Sequence, residues 1–270
     1  MKKIFVLLLA MTMCLSLAAC DDSAARKVGT DEQAENGDLA YVRDKGTLVV
    51  GITEFAPMDY QDADGNWIGF DADMAAAFAE SLGVTAEFRI IVWDDKVDLL
   101  NDKTIDVVWN GMTLNDEVEA NMETSNPYFN NAQVVIVRAD AADQYQTAES
   151  LAVAVCAVEP GSAGRNEAVS HGFSYVEVKD QSAALQNVSD GTYDAAIIDF
   201  LMAIAMIGEG TDYEDLTYTV SLSSEEYVVG FRKGSDLAAE LNSFFAANYA
   251  SGTMRSIART YGISAFLLAQ

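Results

Sequence analysis

The chain has 270 residues, 16 Lys+Arg against 42 Asp+Glu, and a formal net charge of -26. That balance excludes a nucleic-acid binder, which needs a basic face for phosphate. Hydrophobic residues make up 50%, so the chain buries a core rather than forming a disordered acidic tail, and its length suits one large domain or two of ordinary size.

The N-terminus reads as an address. Lys2 and Lys3 precede an apolar stretch over 4–17, and Ala18-Ala19 precede Cys20. A positive start, an apolar middle and small residues before a cut make an export signal. Leu17-Ala18-Ala19-Cys20 resembles a bacterial lipobox, which implies a leader over 1–19 and an acylated Cys20 as mature N-terminus. A plain signal peptide with an incidental Cys is the alternative. Residues 20–40 carry few large apolar side chains and read as a flexible tether. Cys156 is the only cysteine beyond the leader and Cys20, so no internal disulfide is expected.

From residue 41 strand-like and helix-like segments alternate. Strands are expected over 47–53, 85–92, 105–109 and 133–137, and helices over 71–82 and 95–100. Met74, Phe78 and Leu82 recur at helical spacing, and Gly83 marks the stop. The second part repeats the pattern, with strands over 155–158, 175–178, 195–198 and 227–231. Its helices are expected near Ser162 and over 182–188, 237–249 and 254–261. The apolar stretch 195–207 is too short to span a membrane and is interrupted by Asp199, so it reads as a strand running into a helix. Such alternation predicts an α/β fold with mostly parallel sheets, whose ligands sit beyond the carboxyl ends of the strands.

The loops at those ends carry Glu54 and Phe55, then Trp93, then Trp109, Asn110, Gly111 and Thr113, then Glu159 to Gly164 with Ser162 and Ala163, then Asp199. Aromatics, hydroxyls and carboxylates converging on one side compose a small-molecule cleft. Plainer roles stay open for each. Phe55, Trp93 and Trp109 can be packing residues, Asp199 can cap the following helix, and Gly161-Ser162-Ala163-Gly164 can be a turn rather than an anion cradle. No metal site is expected: Asp62, Asp64 and Asn66 lack the spacing of a calcium loop and read as a hairpin turn. His171 reads as a surface residue and Cys156 as a small core residue.

Several segments in order resemble the bacterial extracellular solute-binding proteins, family 3, that serve ABC importers of polar amino acids. They are LVVGITEFAPMDY with WIGFDADMAAAFAESLGV, IDVVWNGMTLNDE with SNPYF, AVEPGSAG, DGTYDAAIID, and EEYVVGFRKGSDL with SGTMRSIARTYG. The resemblance runs from about residue 48 to about 261 and implies a two-lobed periplasmic-binding-protein-like fold of type II with two crossover strands as hinge. Lobe 1 then covers 41–130 plus 228–270 and lobe 2 covers 131–227, with crossings near 130–132 and 226–228. It implies a ligand stacked between Phe55 and Trp93, polar contacts from Asn110, Gly111 and Thr113, a carboxylate-binding helix start at Ser162 and Ala163, and an ammonium-binding Asp199. The family's acidic residue after the first strand is displaced, with Thr53 or Glu54 near its place. Its carboxylate-clamping Arg aligns with Val118, which cannot make a bidentate pair. Either Arg165 or the helix start near Ser162 then serves the carboxylate, or the ligand lacks one.

The expectation is a binding protein and not an enzyme, without cofactor. It acts as a monomer held outside the cell membrane by its lipid, passing a small amino-acid-like solute to an ABC permease. The alternative is an extracytoplasmic lyase or dehydratase on the same fold, acting on a small carboxylic acid.

Overall fold

Two β-sheets joined by two adjacent chain crossings organise residues 37–270, the part of the chain that this computed structural model describes. The chain enters through α1 (Asp38–Lys45) and β1 (Thr47–Ile52), makes a hairpin of β2 (Tyr60–Gln61) and β3 (Trp67–Ile68), and continues into α2 (Phe70–Leu82) and β4 (Thr85–Ile90). Then come α3 (Lys96–Asn101), β5 (Val107–Thr113), α4 (Asp116–Asn121), β6 (Met122–Thr124) and β7 (Phe129–Asn131). The second part holds β8 (Gln133–Arg138), β9 (Val155–Val158), α5 (Ala163–His171), β10 (Ser174–Glu177), α6 (Gln181–Ser189), β11 (Ala195–Asp199), α7 (Phe200–Met206) and β12 (Leu216–Ser221). The chain returns through β13 (Glu225–Arg232) and ends in α8 (Leu237–Ser251) and α9 (Thr253–Thr260).

The first sheet has the order β4-β1-β5-β13-β6, with β7 also on β13; the second has the order β10-β9-β11-β8-β12. β1 is parallel to β4 and β5, and β9 is parallel to β10 and β11. The strands next to the crossings, β8 and β13, are antiparallel to their neighbours. A helical crossover returns a strand parallel, whereas a strand arriving from the other sheet enters from the opposite end. The two-lobed α/β architecture of the sequence reading is therefore present, with sheets that are mixed rather than mostly parallel.

Local chemistry explains the elements that carry the site. β1 is buried at five successive positions, as a strand covered on both faces must be. On α2, Met74, Phe78 and Leu82 all face the core, and Gly83 at φ 80° closes the helix by donating its N–H to the Ala79 carbonyl. Burying side chains such as Met74 and Phe78 contributes about 2 kcal/mol each. Trp109 packs its ring against Phe78 and Phe245 and is fully buried, so of the three loop aromatics it serves the core alone.

Three boundaries differ from expectation. α1 starts inside the segment expected as tether, because Asp236 accepts the Leu39 N–H at 2.9 Å and Arg232 donates to Asp38 at 2.9 Å, tying it to the body. β5 runs on to Thr113, so Asn110, Gly111 and Thr113 lie in a strand rather than a loop; the register with β13 shifts between Val228 and Gly230 and frees the stretch opposite. The second crossing lies at 222–224 rather than 226–228, since β13 already pairs with β7 at Glu225. There the two crossings run side by side: Leu222 N–H donates to the Gln133 carbonyl at 2.8 Å, and Gln133 N–H to Ser223 Oγ at 2.9 Å. The expected leader over 1–19 and Cys20 lie outside the described residues. Among the described residues no helix is long and apolar enough to cross a membrane.

Candidate functional site

The carboxyl ends of both sheets converge on one narrow cleft, with about 20 Å³ of room for water-sized contents. On the first lobe its floor is Phe55, Asn110 and Gly111. Asn110 Oδ1 accepts from Thr53 N–H at 2.9 Å and Thr53 Oγ at 2.7 Å. Its Nδ2 donates to the Thr53 carbonyl at 3.1 Å and to Asp59 Oδ2 at 2.8 Å. Both lone pairs and both protons of that amide are spent internally. The side chain expected to orient ligand thus braces the floor. Gly111 has φ 55°, and a Cβ there would lie 2.3 Å from Phe55 Cε1. Only glycine allows the backbone to pass under that ring.

Beneath this floor sit two buried carboxylates that do not line the cleft. Asp71 accepts the Gly111 N–H at 2.7 Å and the Tyr128 hydroxyl at 2.8 Å. Burial raises its pKa to about 7. Asp59, fully buried beside it, is pushed well above the usual carboxylate range by desolvation and then by Asp71.

The side of the cleft is Trp93, opening a 3₁₀ turn over Trp93–Asp95, and Lys96, the first residue of α3. Lys96 is 3% exposed and its Nζ stands 5.1 Å from the Trp93 ring centroid. It donates to the Trp93 carbonyl at 3.3 Å and, across to the second lobe, to the Gly161 carbonyl at 3.2 Å. Burial lowers its pKa. Val118 on α4 also lines the cleft and is apolar. Thr113 turns its hydroxyl to Glu225 at 2.8 Å.

The second lobe supplies Glu159, Gly161, Ser162, Ala163, Gln181 and Asp199. Ser162 caps α5, its Oγ accepting the Arg165 N–H at 3.0 Å, and Ala163 opens the helix with its first free N–H groups. Gly164 presses α5 onto β11: a Cβ there would meet the Ile197 carbonyl at 2.5 Å. Asp199 stands at the N-cap position of α7 but makes no cap bond. Its Oδ1 accepts from Asn131 at 2.6 Å, Gln133 at 3.0 Å and Tyr227 at 2.8 Å, and its Oδ2 from Gln181 at 2.6 Å. Asn131 and Gln133 also donate to Glu225 at 2.6 and 2.8 Å, so two amides on one crossing bridge two carboxylates. Burial, and next Glu225, raises the Asp199 pKa to about 7. Glu159 is 3% exposed, and burial followed by Asp180 and Asp199 raises it to about 8.

The structure thus brings Phe55, Trp93, Asn110, Gly111, Thr113, Ser162, Ala163 and Asp199 to one cleft. Glu54 is not among the lining residues; its neighbour Thr53 is, as successive residues of an extended chain face opposite ways. Arg165 points away to Glu177 at 3.2 Å and does not line the cleft. His171 stacks on Phe173 at the end of α5, and Cys156 is buried with its thiol pushed up to about 12. Asp62 accepts the backbone N–H groups of Asp64 and Asn66, forming the expected turn. Sequence reading missed Lys96 and Gln181. Lys96 could have been found as the residue one turn beyond Trp93; no local signal marks Gln181.

A model of the bacterial extracellular solute-binding proteins, family 3, matches residues 48–264. The L-cystine-binding protein TcyJ of Escherichia coli (strain K12) is 29% identical over 233 residues, 84% of this chain and 87% of TcyJ. The crystal structure of a mutant of ArgBP from T. maritima superposes with a TM-score of 0.78 at 30% identity, covering 83% of this chain and 98% of that one. The cyclohexadienyl dehydratase of Pseudomonas aeruginosa is 27% identical over 214 residues, 75% of this chain and 74% of the enzyme. With the fold, the cleft and the match over most of its length in agreement, the chain belongs to the bacterial extracellular solute-binding proteins, family 3.

Proposed function

We propose that this protein captures an amino acid or close derivative by closure of its two lobes and delivers it to the permease of an ABC importer, held at the cell membrane by lipid on Cys20. One observation carries the reading: a single cleft is lined from both lobes by two aromatics, a capped helix start and buried carboxylates. A solute that touches both lobes only when they meet shifts the population toward the closed form, and no covalent step is needed. Phe55 and Trp93 supply stacking area, Thr113, Ser162 and the backbone at Asn110, Gly111 and Ala163 orient polar groups, and Asp199 sets a negative end for a ligand ammonium. Binding proteins for cystine and arginine among the relatives support an amino-acid ligand. The test is a thermal-shift screen of amino acids, amines and short peptides, with mass spectrometry of whatever co-purifies. A chain that no amino acid stabilises and that carries none from the cell sinks the reading. Anchoring is tested apart from it, by incorporation of a labelled fatty acid that Cys20→Ser abolishes.

A second reading, a lyase of small carboxylic acids, is favoured by Glu159, a buried acid whose raised pKa keeps it protonated at neutral pH, and by the dehydratase among the relatives. Loss of water from such an acid, detected by mass spectrometry and abolished by Glu159→Gln, would establish it.

A further inference from the structure

We infer that Lys96 and Glu159 are the charge-reading pair of the cleft, Lys96 taking a ligand carboxylate and Glu159 a ligand ammonium, so that the site selects a zwitterion. This rests on the reading of the cleft as a capture site. Among the described residues Lys96 is the one cation that lines the cleft, and it makes no ion pair. Its two carbonyl acceptors, at 3.3 and 3.2 Å, leave one of three ammonium protons without a partner. Glu117, Asp94 and Glu159 act on Lys96 from beyond ion-pair distance, while its direct hydrogen bonds go to neutral carbonyls only; a buried charge so held is costly, and an incoming anion relieves that cost. Val118, apolar and lining the same cleft, cannot do so. Lys96 reaches the same cleft from α3 instead.

The acidic side is asymmetric in the same sense. Asp199 already accepts four hydrogen bonds from Asn131, Gln133, Gln181 and Tyr227, which fills most of a carboxylate's capacity. Glu159 Oε1 is buried, belongs to a residue lining the cleft, and has no hydrogen-bond partner. An ammonium entering the cleft therefore finds its open acceptor on Glu159, with the hydrogen-bonded Asp199 behind it. Glu159 faces Asp180, Asp199 and Lys96, and burial with the two aspartates raises its pKa to about 8. A bound ammonium lowers that pKa, so capture at pH 7 releases a proton.

The experiment measures, by calorimetry on the full chain, each common amino acid beside its α-carboxamide and its N-acetyl derivative. The amino acid that binds the wild type is expected to bind roughly 10- to 100-fold tighter than either derivative. Lys96→Met erases the preference over the carboxamide and Glu159→Gln the preference over the N-acetyl form. Glu159→Gln also lowers the proton release, read from the dependence of binding heat on buffer ionisation enthalpy. If Lys96→Met fails to fold, Lys96→Gln, which retains a donor toward Gly161, replaces it. Variants that bind the amino acid with both preferences intact overturn the pair and leave the capture reading standing. A wild type that binds none of the amino acids overturns both.

Discussion

Two pairs of buried acids lie within this fold and teach opposite lessons. Asp59 and Asp71 sit beneath the floor of the first lobe; Glu159 and Asp199 sit on the wall of the second. Burial raises all four. The first pair is sealed: Asp71 spends its oxygens on Gly111 and Tyr128, and Asp59 accepts from the amide of Asn110 with one oxygen while the other is buried without a partner, out of reach of the cleft. It shapes the surface a ligand meets without touching it. The second pair opens on the cleft, and there a free lone pair is an invitation. A raised carboxylate thus marks a site only where space reaches it, a distinction of access rather than chemistry.

The comparison can be broken, first, by pH. An acid raised in the folded state keeps its proton there while the unfolded chain has lost it. Its stabilising share is therefore full below the ordinary pKa and disappears as pH rises through the folded value, about 8 for Glu159. The slope is at most about 1.4 kcal/mol per pH unit per group. Urea unfolding at pH 5, 6.5 and 8 should show the wild type losing roughly 3 kcal/mol relative to Glu159→Gln across that range. A constant difference between the two proteins would mean that Glu159 is not raised.

Next, Asp71→Ala leaves the Gly111 N–H and the Tyr128 hydroxyl buried without an acceptor. A loss of roughly 2–4 kcal/mol in unfolding free energy is expected. If the variant unfolds at the wild-type urea concentration, the sealed pair does not hold the floor. Phe55→Ala and Trp93→Ala act on the open side instead. Each should weaken calorimetric binding of the captured amino acid by about 2 kcal/mol, as for a buried aromatic anchor. Gly111→Ala sharpens the boundary between the two regions, since its Cβ would meet Phe55 from below at 2.3 Å in a backbone conformation of φ 55°. A cost of roughly 1–2 kcal/mol should appear in both stability and binding. The smallest effect belongs to Arg165→Ala, which touches an exposed ion pair; binding should shift by no more than about 0.5 kcal/mol. A tenfold loss there would return the carboxylate to Arg165.

The architecture was readable where periodicity is long. β1, α2 and β11 follow their apolar patterns because each buries a continuous face. β6 and β7 were not, since three residues hold no period and their pairing depends on β13, roughly a hundred residues away in sequence. In the cleft, Phe55, Trp93 and Asp199 follow strands and could be named from that rule alone. Which way Glu54 and Thr53 face, and that the Asn110 amide turns inward, are decided by partners remote in sequence. Lys96 escaped for a related reason: a lysine on a polar stretch reads as solvated until packing against Trp93 and Gly161 removes its water.

The bridge of Asn131 and Gln133 ties Asp199 to the strands that join the lobes. Tyr227, on the returning strand, holds the same carboxylate oxygen. Under the proposed capture role, a tug on Asp199 from the guest is a torque applied where the lobes join, and occupancy and opening angle would be geared together by a handful of bonds.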